Sequence, residues 1–236
     1  MSQQSRAPAG DVAAFAEGVN HLKVAAIIMI AATVLTGVGA LASVMTFISS
    51  FTSSPVKAIT MIFGGVAVAG IVGGILVLAA TLHLFKAFNR LRDFSPERFG
   101  TTATIVKVGF LAYGLMGVIT PIAMCATVSQ VVGTTPGFAV MQQVVGTLQT
   151  LSVLLFIAKA AAMVGIGLGT YHIYSVTDEG LFLGAAILFF IAIFVPILAL
   201  IGWILIIVGA GNAVSKVRAT CGGQGREAVE PVAPST

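Results

Sequence analysis

The sequence predicts an all-α integral membrane protein: a bundle of five transmembrane helices with the N-terminus inside and the C-terminus outside. Three observations carry that expectation. Of 236 residues, 58% are apolar and only 8% charged, where a soluble domain carries about 25% charged residues. The mean hydropathy is +1.06, so a soluble fold could not cover its own surface. A cytosolic globular enzyme, a disordered chain and a disulfide-rich secreted domain are thereby excluded. Finally, the charges are spaced by long gaps: residues 24–56, 58–85 and 180–215 carry none, and Lys159 is the single charge between Lys107 and Asp178. A helix needs about 20 apolar residues to cross the hydrocarbon core. The apolar runs do not alternate as the strands of a membrane barrel would.

The elements follow in chain order. Residues 1–23 form a polar N-terminal segment whose second half reads as a short amphipathic helix, with Phe15, Val19 and Leu22 on one side. The five-helix transmembrane domain covers residues 24–211 and a flexible polar tail 212–236. The first span is expected at 24–47; Ala40-Leu41-Ala42 resembles a signal-peptidase site, but the apolar run continues past it to Phe47. A Ser- and Pro-rich turn through Pro55 leads to the second span at 59–85. Phe85, Phe88 and Leu91 recur at helical spacing, so this helix should continue along the interface. Ser95-Pro96-Glu97 then reads as a helix start, with Ser95 as cap and Pro96 in the first position. The third span is placed at 108–129, and Gly133-Thr134-Thr135-Pro136-Gly137 is the next turn, with Pro136 a candidate start for the following helix. The fourth span lies at 146–173. The fifth, at 181–211, is too short for two full crossings and is expected to be one tilted helix kinked at Pro196. Gly109 precedes Pro121 by the same spacing as Gly184 precedes Pro196, a faint echo of a duplicated hairpin.

Orientation is read from lysine and arginine. Lys86, Arg90, Arg92, Arg98 and Lys107 lie between spans two and three, and none lies between three and four. Positive loops stay inside, which puts the N-terminus inside with Arg6 and Lys23. A fifth crossing then forces Lys216, Arg218 and Arg226 outside with Lys57. The basic, aromatic 86–107 connection should face the anionic inner leaflet, at about 1 kcal/mol per cation near the surface. Orientation accounts for the positive charge, so nucleic acid is not an expected partner.

Few residues stand out as carriers of chemistry. Lys159 is a charge at bilayer depth, which by default is a functional candidate as an ion or substrate contact. The structural alternative is an ammonium that snorkels to the outer surface or pairs within the bundle. His83 and His172 sit near the inner ends of spans two and four, each continuing a stripe of small residues. They are candidates for the axial ligands of a haem, or simply interfacial histidines. Gly70, Gly74, Gly165 and Gly169 stand in G-x-x-x-G pairs that allow close helix contact within or between chains. No nucleophile with a base, carboxylate pair or metal-ligand spacing is visible. No catalytic residue, bound metal or cofactor is therefore expected.

The second half reads Gly165-x-Gly167-x-Gly169-Thr170-Tyr171-x-x-Tyr174, then runs through the proline-interrupted segment to Gly202-Trp203 and Gly209; the first half has Phe85-Lys86-Ala87-Phe88-Asn89-Arg90-Leu91 leading to Arg98-Phe99-Gly100. This resembles an archaeal family of polytopic membrane proteins, the domain of unknown function 973 family, over residues 12–215. The resemblance implies a multi-pass protein of the cell membrane and brings no activity, substrate or catalytic residue. The leading expectation is a non-catalytic membrane subunit or scaffold that forms a homo-oligomer or joins a larger membrane complex. The alternatives are a small transporter or channel using Lys159 and, third, a haem-bearing electron-transfer subunit.

Overall fold

The computed structural model describes residues 9–51, 55–131 and 138–223. Among them it contains α1 (Ala9–Phe51), α2 (Pro55–Phe94), α3 (Pro96–Val131), α4 (Phe138–Thr177), α5 (Gly180–Ile191) and α6 (Ile197–Gly223). Five of these are long and apolar enough to cross a membrane; α5, with 12 residues, is not. The chain is a multi-pass membrane protein.

Each helix packs on the next, and α6 packs on α1, so the elements close into a ring. Trp203 of α6 is fully buried at its centre, with the rings of Phe189 at 4.8 Å and Phe110 at 6.1 Å. Apolar side chains elsewhere, among them Leu41, Met45 and Phe194, are exposed. That pattern suits a helix bathed in lipid and would be intolerable in water.

Local chemistry sets the junctions. The α2–α3 corner forms at Ser95, whose carbonyl accepts the Phe99 N–H at 3.0 Å, and α3 begins at Pro96 as the sequence indicates. The α4–α5 corner forms at Asp178, in the left-handed region at φ 51°, which Asp tolerates better than most residues. Its N–H donates to the Tyr174 carbonyl at 2.8 Å and closes the last turn of α4.

The expected fifth span departs from the sequence reading. It is not one kinked helix. The chain leaves helical conformation between Ile191 and Ile197, and α6 runs back alongside α5. A Cβ added at Gly184 would touch Leu205, one at Gly202 would touch Phe189, and one at Gly209 would touch Leu181 and Phe182. Rising numbers on one helix thus meet falling numbers on the other, as in an antiparallel hairpin. Pro196 supplies the break: it has no N–H to give and it disfavours helical conformation at Val195. Proline alone does not decide it, because α3 runs unbroken through Pro121. The echo between the two proline sites therefore has no structural counterpart.

This hairpin brings α1 and α6 to one end of the bundle, where the sequence reading set the two chain ends on opposite sides. Lys216 Nζ of α6 meets Glu179 Oε2 at 2.8 Å and the Asp178 carbonyl at 3.0 Å, at the corner where α4 ends. Arg98, at the start of α3, reaches Ser175 Oγ at 3.2 Å, and Arg90 Nε reaches Glu17 Oε2 at 3.1 Å near the start of α1. The first turns of α1 and the last turns of α6 therefore share one end of the bundle. Among the described residues, Lys23, Lys86, Arg90, Arg92, Arg98, Lys107, Lys216 and Arg218 gather at that end, while Lys57 begins α2 at the other.

The expected domain boundaries also soften. The 1–23 segment is not separate from the first span where it is described: α1 is continuous from Ala9, and Phe15, Val19 and Leu22 are buried, Phe15 against Phe94 at 5.1 Å. With 43 residues, α1 is about 64 Å long at 1.5 Å per residue, far more than the hydrocarbon needs. It carries a helical stem beyond the membrane. The expected flexible tail is helical to Gly223, with Ala213 and Val217 buried. The proposed helix start at Pro136 lies outside the described residues.

Shared sidedness is directly testable. In a chain with Cys125 and Cys221 replaced by Ser, cysteines placed at Arg92 and Ser215 are expected to react with an impermeant thiol reagent from the same side, and one at Ser49 from the other. Reaction of the Arg92 and Ser215 positions from opposite sides would refute the hairpin.

Candidate functional site

The site is built around the helix break. A carbonyl freed inside a bilayer has no water to turn to, and each unsatisfied group costs several kcal/mol. At the break, the Ile191 carbonyl accepts from both the Phe194 and the Val195 N–H at 3.0 Å. The Ile193 carbonyl faces Lys159 instead, whose Nζ lies 3.5 Å away. That distance is long for a hydrogen bond and ample for a charge–dipole attraction. The ammonium also lies by the C-terminal end of α5, where the helix dipole favours a cation. Lys159 thus has a partner on a neighbouring element, as the pairing alternative to snorkelling requires. Its stem runs to a neighbouring element and seals the break.

The histidines are not brought to a common point. The His83 ring faces His21 of α1, with centroids 5.9 Å apart, and its Nδ1 is buried without a partner. The His172 ring faces Phe99 of α3 at 5.8 Å. The helices that carry them, α2 and α4, do not pack directly on each other. No group of three or more His, Cys, Asp or Glu that could hold a metal ion occurs among the described residues.

The glycines do what close packing requires, and they do it inside the chain. A Cβ at Gly74 would stand 2.7 Å from the carbonyl carbon of Gly117, and one at Gly70 would stand 2.6 Å from the Pro121 ring. A Cβ at Gly165 would meet the Val106 backbone at 3.0 Å, and one at Gly169 would collide with the Phe88 ring. Gly109, which sequence reasoning used only as a spacing marker, makes the tightest backbone approach to α4: its Cβ would lie 2.7 Å from the Ala162 nitrogen. With no hydrophobic drive between helices in lipid, this intimacy supplies the attraction.

The basic residues at the charged end divide by task. Arg90, Arg98 and Lys107 tie helices together: Arg90 to Glu17, Arg98 to Ser175, and Lys107 to the Asn89 side chain and over the Phe85 ring at 5.9 Å. Lys86 and Arg92 are exposed. Lys86 borders a polar hollow of about 380 Å³ with Glu17, His21, Asn89, Arg90 and Asp93.

A second, apolar cavity of about 440 Å³ lies deeper, walled by α1, α2 and α3 with Leu155 of α4. Its wall holds Gly70, Gly73 and Gly74 of α2, Gly37 of α1 and Tyr113, Thr120 and Pro121 of α3. Sequence reasoning missed it. The signal available was the coincidence of Gly70, Gly73 and Gly74 with Gly117 and Pro121, which marks where helices lack side chains to fill the space between them.

Substitutions at these contacts separate their roles. Gly109→Val should lower stability by about 1–3 kcal/mol, because backbone must move to admit the side chain. Lys159→Met keeps the stem but removes the donor to Ile193, and a drop of about 1–3 kcal/mol is expected, with Lys159→Arg recovering part of it. Melting temperature in detergent checks both; a Lys159→Met protein as stable as the parent would show that the contact is incidental.

The family profile described as "Protein of unknown function (DUF973)" matches residues 16–236. No curated protein and no solved structure matches the chain. The match spans nearly the whole chain, including the α2–α3 corner, the glycine-lined α3–α4 contact and the broken hairpin, and the protein accordingly belongs to the DUF973 family of multi-pass membrane proteins of unknown function.

Proposed function

We propose that this protein is a non-catalytic membrane subunit or scaffold of the cell membrane, in which α1–α4 cross the bilayer and α5–α6 enter and leave from the inner side. Both chain ends then lie inside. The positive-inside rule supports this orientation more strongly than it supported the one expected from sequence, because Lys216 and Arg218 join the inner cations instead of opposing them. The observation that carries the scaffold reading is the engagement of Lys159 with the Ile193 carbonyl. The charge at bilayer depth is occupied in holding the fold and lines neither cavity. The exposed Lys86 and Arg92 suit an anionic leaflet and a cytoplasmic or membrane-bound partner, a second copy of the chain included.

Mild-detergent purification followed by identification of co-purifying chains tests the scaffold reading: a discrete homo-oligomer or a stoichiometric partner is expected. A second reading, a small transporter, draws support from the helix break itself, since transporters commonly place broken helices at their binding sites. It requires a measurable flux in reconstituted vesicles that Lys159→Met abolishes in a folded protein.

The lipid contact has its own signature. Anionic lipid added to the detergent-solubilised protein is expected to raise the melting temperature more than zwitterionic lipid does. The difference should shrink as salt rises, because exposed charges are screened over about 10 Å at 0.1 M. Equal stabilisation by the two lipids would remove the electrostatic part of the proposal.

A further inference from the structure

A pair of imidazoles at the charged end carries an inference that goes beyond the scaffold reading and does not rest on it. The chain has three histidines, and histidine is the side chain whose ordinary charge change falls between about pH 5 and 8. Two of the three meet. His21 stands in the stem of α1 and His83 in α2, with ring centroids 5.9 Å apart and planes tilted by 45°. The helices are in close contact here: a Cβ added at Gly18 would stand 3.0 Å from the Ala87 carbonyl oxygen.

The second observation is what surrounds His83. Its Nδ1 is buried without a partner. A neutral ring can present that nitrogen as a bare acceptor, whereas a protonated ring carries an N–H there with nothing to receive it. The neighbouring charges do not compensate. α1 and α3 are the helices that pack on α2. α1 brings His21 and Glu17, α3 brings Lys107, and α2 itself has Lys86, Arg90 and Asp93. Glu17 lies 3.8 Å from His21 and is held by Arg90 at 3.1 Å. Asp93 is ten residues from His83, about 15 Å along the helix. Lys107 is engaged with Asn89 and the Phe85 ring. Among the described residues no carboxylate pairs with His83.

We propose that the His21–His83 contact is a proton-operated clasp: with His83 neutral the stem of α1 lies docked on α2, and protonation of His83 from the side that the charged end faces loosens the stem. Opening also parts Glu17 from Arg90, which leaves a third cation beside the exposed Lys86 and Arg92. The sign follows from the geometry. Above about pH 6.5, the ordinary pKa of histidine, the ring is neutral whether or not the stem is docked. Below it, the freed ring binds a proton for which the docked ring has no acceptor, so docking weakens as the pH falls.

The test measures amide hydrogen exchange on the full chain in mild detergent, expressed as protection factors, which remove the intrinsic effect of pH on exchange. From about pH 7.5 to about pH 5.5, protection of peptides within residues 12–23 is expected to fall about ten-fold, the most that one histidine with an ordinary pKa of about 6.5 can deliver over that range. Peptides from the far ends of α1 and α3 should hold theirs. His83→Gln keeps a polar side chain that does not titrate, and it should abolish the fall. His172→Gln, at a histidine that faces Phe99, should leave the fall as in the parent. Unchanged stem protection in the parent, or a His83→Gln protein that loses protection as the parent does, would overturn the proposal. Should His83→Gln fail to fold, the parent decides: a loss of protection spread evenly over all the helices would overturn it as well.

Discussion

A helix cannot break inside a bilayer unless something accepts the groups it frees. In this protein the break is at Pro196, and Lys159 supplies an ammonium to the Ile193 carbonyl across the gap between α4 and the hairpin. That contact lies where the chain reverses. With the break sealed, α5 can stop after 12 residues and α6 can return beside it. Trp203 is then delivered to the centre of the ring, and Lys216 is delivered back to Glu179. The same early stop leaves the far half of the bundle to α1–α4, with the apolar cavity between them. A charge that would be a liability on a straight helix is here the complement to a defect in another.

The second constraint is the lack of a hydrophobic force between helices in lipid. Attraction has to come from close backbone approach, and the contacts of Gly74 on Gly117 and of Gly109 on Ala162 provide it. The fully buried bulky side chains include Phe15, Phe88, Phe99, Phe110 and Trp203. The glycines thus have a cost as well as a use. Where three of them stand together at Gly70, Gly73 and Gly74, the helices meet but do not fill the space on the α1 side, and a cavity results.

At the charged end the logic reverses, because water is present. The polar contacts there are partly exposed, and the ion pairs among them contribute about 0–1 kcal/mol each. Their value is geometric: Arg90 fixes α2 to α1, Arg98 fixes α3 to α4, and Lys216 fixes α6 to the α4–α5 corner. Together they gather the helix ends on the face that also carries the exposed Lys86 and Arg92.

The sequence by itself determined the solvent, the element type and the α2–α3 corner. Long uncharged runs can exist only in lipid, and unalternating runs there must be helical; Ser95-Pro96 marked the start of α3, and the spacing of Phe15, Val19 and Leu22 marked a buried face. The G-x-x-x-G pairs marked close contacts without saying with what. Tertiary structure alone decided the rest. Whether a proline kinks a helix or ends it depends on who satisfies the freed carbonyl, and α3 continues through Pro121 whereas α5 ends before Pro196 with Lys159 beside it. No local pattern around Lys159 names Ile193, since the partners are far apart in the chain and meet only when α4 and α5 pack. The position of the last turns of α6 followed from the hairpin and from Lys216 on Glu179, and the apolar cavity from how α1, α2 and α3 meet, because a space between helices is a property of their packing.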